Sequence, residues 1–153
     1  MVKVFIVYDT KHGNTKIVAE RILEGMKQVK GIEPTTSDVE EVNPEKVADS
    51  DAILIGAPNH WGSPSRIIRK FIDNLAKLKM KTKWVAVFDT YLGEDFEKAV
   101  KKMEKQIGER LPNLKLITSG LSIRVEEMKG PIAEGELSKC RDFGRKIAEQ
   151  LKP

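Results

Sequence analysis

Three short runs, Val4–Val7, Ala52–Ile55 and Val85–Phe88, are apolar at every position. Strand side chains alternate between two faces, so a strand that is apolar throughout has to be covered on both sides. Weaker strand patterns lie at Glu33–Ser37 and Leu114–Thr118, the latter resuming at Leu121, Ile123 and Val125. Helical spacing fills the intervals. Val18, Ile22 and Met26 form one stripe, and Ile67, Ile68, Phe71, Ile72 and Leu75 a second. Phe96, Val100, Met103, Ile107 and Leu111 form a third, and Leu137, Cys140, Gly144, Ile147 and Leu151 a fourth. The order β-α-β-(short helix)-β-α-β-α-β-α predicts a three-layer, doubly wound α/β sandwich around a five-stranded parallel sheet. Ser119–Gly135 has no clear period.

Composition narrows the class. With 153 residues the chain fits one domain, 1–153, large enough to bury a core without disulfides or metals. Hydrophobic residues at 40% and charged residues at 33% exclude a disordered or membrane-spanning chain, and no apolar run approaches the roughly 18 residues of a membrane helix. The short apolar start lacks a signal-peptide cleavage pattern, so the expected location is cytoplasmic. A lone cysteine, Cys140, allows no internal disulfide, and its place on an apolar stripe predicts a buried thiol. His12 and His60 lack further ligands for a metal. The net charge of +4 (27 − 23) is spread over interleaved acids and bases, and the Lys77–Lys83 stretch lacks the aromatics of a nucleic-acid surface.

Ligands of such sheets bind beyond the carboxyl ends of the strands. Three loops lie there. Asp9–Lys16 runs into the first helix, whose free N–H groups and positive dipole end suit an anion. Thr10, Asn14 and Thr15 add short polar side chains, and Gly13 allows close approach. Lys11, His12 and Lys16 crowd that positive end, a placement a bound phosphate would turn favourable. Gly56–Pro64 and Asp89–Gly93 carry one aromatic each, Trp61 and Tyr91, positioned to sandwich a flat ring.

Nucleotide fingerprints G-x-x-x-x-G-K-[ST] and G-x-G-x-x-G are absent. The phosphoacceptor Asp of response regulators is missing from the third strand's end, Ile55-Gly56-Ala57. A low-molecular-weight phosphatase would need Arg where Lys146 follows Cys140.

Thr10-Lys11-His12-Gly13-Asn14-Thr15 resembles the phosphate loop of flavodoxins, a Ser/Thr-x-Thr-Gly-x-Thr pattern, at Thr10, Gly13 and Thr15. Trp61-Gly62 resembles the loop whose aromatic stacks on the flavin, and Tyr91 the tyrosine on its outer face. The resemblance covers nearly the whole chain and implies the order 2-1-3-4-5, of which flavodoxin is a standing example. It also implies bound FMN, with Thr10, Lys11, His12, Gly13, Asn14 and Thr15 at the phosphate. Asn59, His60, Trp61 and Gly62 would meet one side of the ring, and Thr90, Tyr91 and Gly93 the other. The interval from Thr118 to Leu121 leaves no room for the insertion of long-chain members, so the chain is similar to short-chain ones.

Departures are His12 for the usual Thr, Ser63 where many members have Asp, and a basic overall charge. These imply an altered phosphate site, a less negative hydroquinone couple, and a redox partner protein with an acidic docking face, with no nucleic acid and no membrane span. The function implied is FMN-based electron transfer between redox partners, with no dedicated acid, base or nucleophile. Two alternatives stay open: an FMN-dependent oxidoreductase acting on NAD(P)H and a quinone or protoporphyrinogen-type substrate, and a cofactor-free protein-binding scaffold.

Overall fold

A computed structural model describes residues 1–153. The three apolar runs become the central strands β1 (Val2–Tyr8), β3 (Ala52–His60) and β5 (Trp84–Tyr91), with β2 (Ile32–Asp38) outside β1. The parallel order is β2-β1-β3-β5-β6, with β6 (Lys115–Leu116) and β7 (Leu121–Arg124) sharing the edge beside β5. The expected five positions are all present, and the fifth is split. Opposite it, β5 advances three residues from Val85 to Phe88, while the fifth strand advances five from Leu116 to Leu121. Ile117–Gly120 absorbs the difference. A further two-residue strand, β4 (Ser63–Pro64), folds back antiparallel on β3.

Helices α1 (Asn14–Lys27) and α5 (Glu136–Leu151) cover one face; the other carries α2 (Pro44–Ala48), α3 (Arg66–Leu75) and α4 (Lys98–Arg110). Strand alternation divides the core between them. Val4, Ile6, Leu54, Ala86 and Phe88 pack with Val18, Ile22 and Cys140, while Val7, Ile53, Ile55, Val85 and Val87 pack with Ile68, Ile72 and Met103. The thiol of Cys140 is buried as expected, and burial pushes its pKa up to about 12. Phe96 departs from its expected place on the third stripe. Helix α4 begins two residues later, after Glu97 at φ 61°, and Phe96 stays exposed with its ring against Tyr91. No helix is long and apolar enough to cross a membrane.

Candidate functional site

Parallel strands set every crossover helix running the same way, so α1, α3 and α4 all begin at the carboxyl edge of the sheet. A cleft of ≈ 440 Å³ opens there, within the size range of small-molecule sites. Thr10, Lys11, His12, Asn14 and Thr15 line one end, Asn59, His60 and Trp61 the other, with Thr90 and Tyr91 between them. The structure therefore brings together ten of the thirteen expected residues; Gly13, Gly62 and Gly93 lie beside the wall.

At the first loop, Gly13 takes φ 92° to turn the chain into α1, a conformation that costs a glycine little. Its N–H donates to Thr10 Oγ1 at 2.9 Å. The amides of Lys11, His12, Asn14, Thr15 and Lys16 meet no acceptor in the protein, and the first turn carries no acid. Donors left free at a positive helix end suit an anion. Thr15 is 1% exposed, and its hydroxyl lies 3.0 Å from that of Thr90, tying this loop to the third.

The second loop is a hairpin. His60 faces Ser63, and Trp61 and Gly62 form the two-residue turn with φ 55° and 83°. Positive φ at both residues is what a type I′ hairpin requires, and it suits Asn-Gly far better than Trp-Gly. Left-handed backbone at a tryptophan costs on the order of 1–3 kcal/mol and marks a place to look for function. The indole is 100% exposed. Asn59 holds the turn: its Oδ1 accepts from the Gly62 N–H at 2.8 Å, and its Nδ2 donates to the Asp95 carbonyl at 3.2 Å. Asn59 thus positions the hairpin against the third loop, and the Gly62 N–H is occupied.

Tyr91 ends β5 and lines the cleft, yet it is only 9% exposed, with its ring edge-on to Phe96 at 5.5 Å. Burial, reinforced by Glu136, raises its phenol pKa, so the hydroxyl stays protonated at neutral pH. The two aromatics expected to sandwich a ring therefore present unequal faces, Trp61 free and Tyr91 set into the wall.

Five wall residues escaped the sequence reading: Pro58, Leu92, Asp95, Val125 and Met128. The first three sit in or just beyond loops already singled out. Val125 and Met128 come from the stretch without a period, where an isolated bridge between Val125 and Ile132 folds the chain back. There Gly130 lies so close to α1 that a Cβ would stand 2.9 Å from Asn14 Oδ1. A buried carboxyl, Asp89, sits under the cleft floor. Its Oδ1 accepts from Ser122 Oγ at 2.6 Å and its Oδ2 from the Val100 N–H at 3.1 Å, and burial raises its pKa to about 6.

Known proteins place this architecture. A flavodoxin from Aquifex aeolicus (strain VF5) is 36% identical over 75 residues, 49% of this chain and 40% of its own. A flavodoxin from Clostridium saccharobutylicum is 32% identical over 88 residues, 58% of this chain and 55% of its own. The matched segments thus span about half the length of these relatives. A solved flavodoxin from the domain Archaea superposes with a TM-score of 0.82 over 97% of this chain and 98% of its own, at 24% identity, a likeness of fold. The family model of the flavodoxin domain matches residues 5–121, which include the phosphate-loop pattern, the Trp61 hairpin and the Tyr91 strand end. On that match, the chain belongs to the flavodoxin family.

Proposed function

We propose that the protein binds FMN non-covalently in this cleft and carries electrons between redox proteins in the cytoplasm. The observation that carries the reading is the pairing of an acceptor-free amide cradle with a fully exposed indole across one cleft. The chemistry of the residues fits the group. A phosphate supplies the acceptors that the amides of Lys11, His12, Asn14, Thr15 and Lys16 lack, and Lys11 supplies a balancing charge. A flat ring against Trp61 would cover apolar surface now in water, and Leu92 and Met128 extend the apolar margin.

When bound, FMN supplies one- and two-electron chemistry; the protein supplies position and electrostatics. Asn59 fixes the hairpin on one side of the cleft, and the Thr15–Thr90 contact fixes the phosphate loop to the strand that carries Tyr91. Thr10 is committed to capping Gly13, so it shapes the loop as well as offering its hydroxyl proton. His12, exposed at the cleft end, replaces a hydroxyl donor with a ring N–H.

Titration with FMN, read by quenching of flavin fluorescence with riboflavin in parallel, tests this directly. The expected result is tight FMN binding and riboflavin binding weaker by about tenfold or more, since the cradle acts only on the phosphate. Equal binding of the two flavins would remove the cradle from the reading, and no binding of either would end it. Carriage rather than turnover is tested by steady-state assay with NAD(P)H and a quinone, where the loaded protein should stay at background.

A further inference from the structure

Over its first two turns, one face of α4 carries only lysine; Glu109 ends the row. Lys98, Lys101, Lys102 and Lys105 stand at i, i+3, i+4 and i+7, opposite the buried stripe of Val100, Met103 and Ile107. Arg66 and Arg69 extend it on α3, which packs beside α4 through Gln106, whose amide donates to the Arg69 carbonyl and to Asp73. All six cations are exposed, and only Lys98 has a carboxylate within 4.0 Å, Asp95. Some nearby acids are engaged. Asp73 pairs with Arg110, and Glu104 accepts from the Gly120 N–H; Glu94 and Glu97 remain open at the start of α4 and Glu109 at its end, three carboxylates against the six cations. Helix α3 has no acid in its first turn, so its positive end adds to the field, whereas Glu97 at the N-cap of α4 offsets that helix's own end.

This ridge is continuous with the cleft. Lys102 Nζ donates to Ser63 Oγ at 2.7 Å, in the arm of the Trp61 hairpin. Lys98 Cδ lies 3.5 Å from where a Cβ on Gly62 would stand. Beside it the cleft margin is apolar, with Trp61 at 100% and Phe96 at 55% exposure. An apolar centre flanked by charge that is mostly positive and mostly unpaired is the anatomy of a steered, transient contact.

We propose that the α3–α4 ridge and the Trp61 hairpin form the docking face for a small electron-transfer protein whose own docking face is acidic. The proposal rests on the electron-carrier reading and names the kind of partner it serves. Carboxylates of the partner would settle along the lysine row while an apolar contact forms at Phe96 and at the face of the Trp61 indole turned away from the flavin, bringing the partner's redox centre to the open end of the cleft.

The test uses the FMN-loaded full chain with two probes, an acidic [2Fe–2S] ferredoxin and the basic protein cytochrome c. Binding is followed by NMR shifts of the ¹⁵N-labelled chain at low and raised salt. Expected are ferredoxin-induced shifts centred on the Trp61 indole and the first halves of α3 and α4, weakening with salt. The double variant Lys101→Glu/Lys105→Glu should weaken ferredoxin binding about tenfold or more. The control Lys79→Glu/Lys83→Glu makes the same change in net charge at the opposite edge of the sheet and should alter it less than about twofold. Equal losses in the two variants, shifts centred elsewhere, or tighter binding of cytochrome c would overturn the proposal. FMN affinity measured on every variant keeps the two readings apart: a chain that takes no FMN but holds ferredoxin on the ridge fails as a flavin carrier and keeps its docking face.

Discussion

Asp89 gives the molecule a pH dependence that can be isolated. Its side chain is fully buried beneath the cleft, with a pKa raised from 3.8 to about 6, chiefly by burial and opposed by the bonds from Ser122 and Val100. An acid whose folded-state pKa lies above its unfolded value takes up protons on folding between the two. Stability from this group is therefore complete below about pH 3.8 and is lost as pH rises through about 6. A shift of about two units corresponds to about 3 kcal/mol. Asp89→Asn removes the titration but keeps the shape, with the amide oxygen accepting from Val100 and the amide nitrogen donating to Ser122 Oγ. Urea unfolding of both proteins without flavin, across about pH 3.5 to 8, gives the difference between them, in which the other titrating groups cancel. The variant should gain about 3 kcal/mol relative to the parent over that range, or roughly 6–12 °C in Tm for a chain of this size. A constant offset from imperfect replacement of the two bonds would leave that slope intact. A flat difference would refute burial as the dominant effect. A slope of opposite sign would mean that the Ser122 and Val100 bonds hold the carboxylate charged.

Three further outcomes are expected. Gly144→Ala should destabilise the chain by about 1–3 kcal/mol or more in urea unfolding, because the new Cβ would fall 2.1 Å from the Ile22 carbonyl where α5 crosses α1; full stability would mean the helices separate easily. Trp61→Gly should weaken FMN and riboflavin alike, by about tenfold for the loss of one stacking face, while relieving the strained turn and raising the stability of the flavin-free protein. His12→Thr, restoring the family's usual hydroxyl, should change FMN affinity and leave riboflavin affinity unchanged; equal changes in both would place His12 outside the phosphate site.

The fold was legible where burial is two-sided. Continuous apolar runs located β1, β3 and β5, and 3.6-residue stripes located α1, α3, α4 and α5, because in each case the core dictates the residue at every contacting position. The fifth strand was legible only as two fragments, and it is two fragments: β6 is exposed and makes two residue pairs, too little burial to leave a pattern. Phe96 misled because periodicity counts positions and is blind to where a helix starts; the left-handed Glu97 breaks the chain between it and α4. Within the candidate site, loop chemistry marked the end of the cleft whose amides lack acceptors, where glycine and hydroxyl residues have few other reasons to cluster. It could not separate a free aromatic from a wall aromatic, since Trp61 and Tyr91 differ in backbone turn and neighbours, not in residue class. Val125 and Met128 left no signal at all, being brought to the cleft by an isolated bridge between residues seven apart, just beyond the end of β7.

The charge at the cleft decides which way the flavin's potential should move. Asp95 is the one carboxylate residue in the wall, and Lys98 holds it at 3.1 Å, so its charge is largely balanced. Lys11 stands at the end of the cleft with the acceptor-free amides, without a carboxylate partner within 4.0 Å. Reduction to the hydroquinone adds negative charge to the ring, which neighbouring carboxylates oppose and cations favour. A cleft with its carboxylate neutralised should hold that couple less negative than a cleft ringed by free acids. The effect of Lys98 can be read by itself. Lys98→Ala frees the Asp95 charge and removes a cation at once, and should lower the couple by roughly 10–40 mV, the equivalent of exposed-charge interactions in water. Lys98→Ala/Asp95→Asn should return part of that shift, since the carboxylate is then gone as well. Redox titration of the FMN-loaded proteins at low and high salt reads both, and the shift should shrink as salt screens the pair. A Lys98→Ala couple unchanged or raised would show that the ring does not feel this end of the cleft, and the basic surface would then bear on partner choice alone.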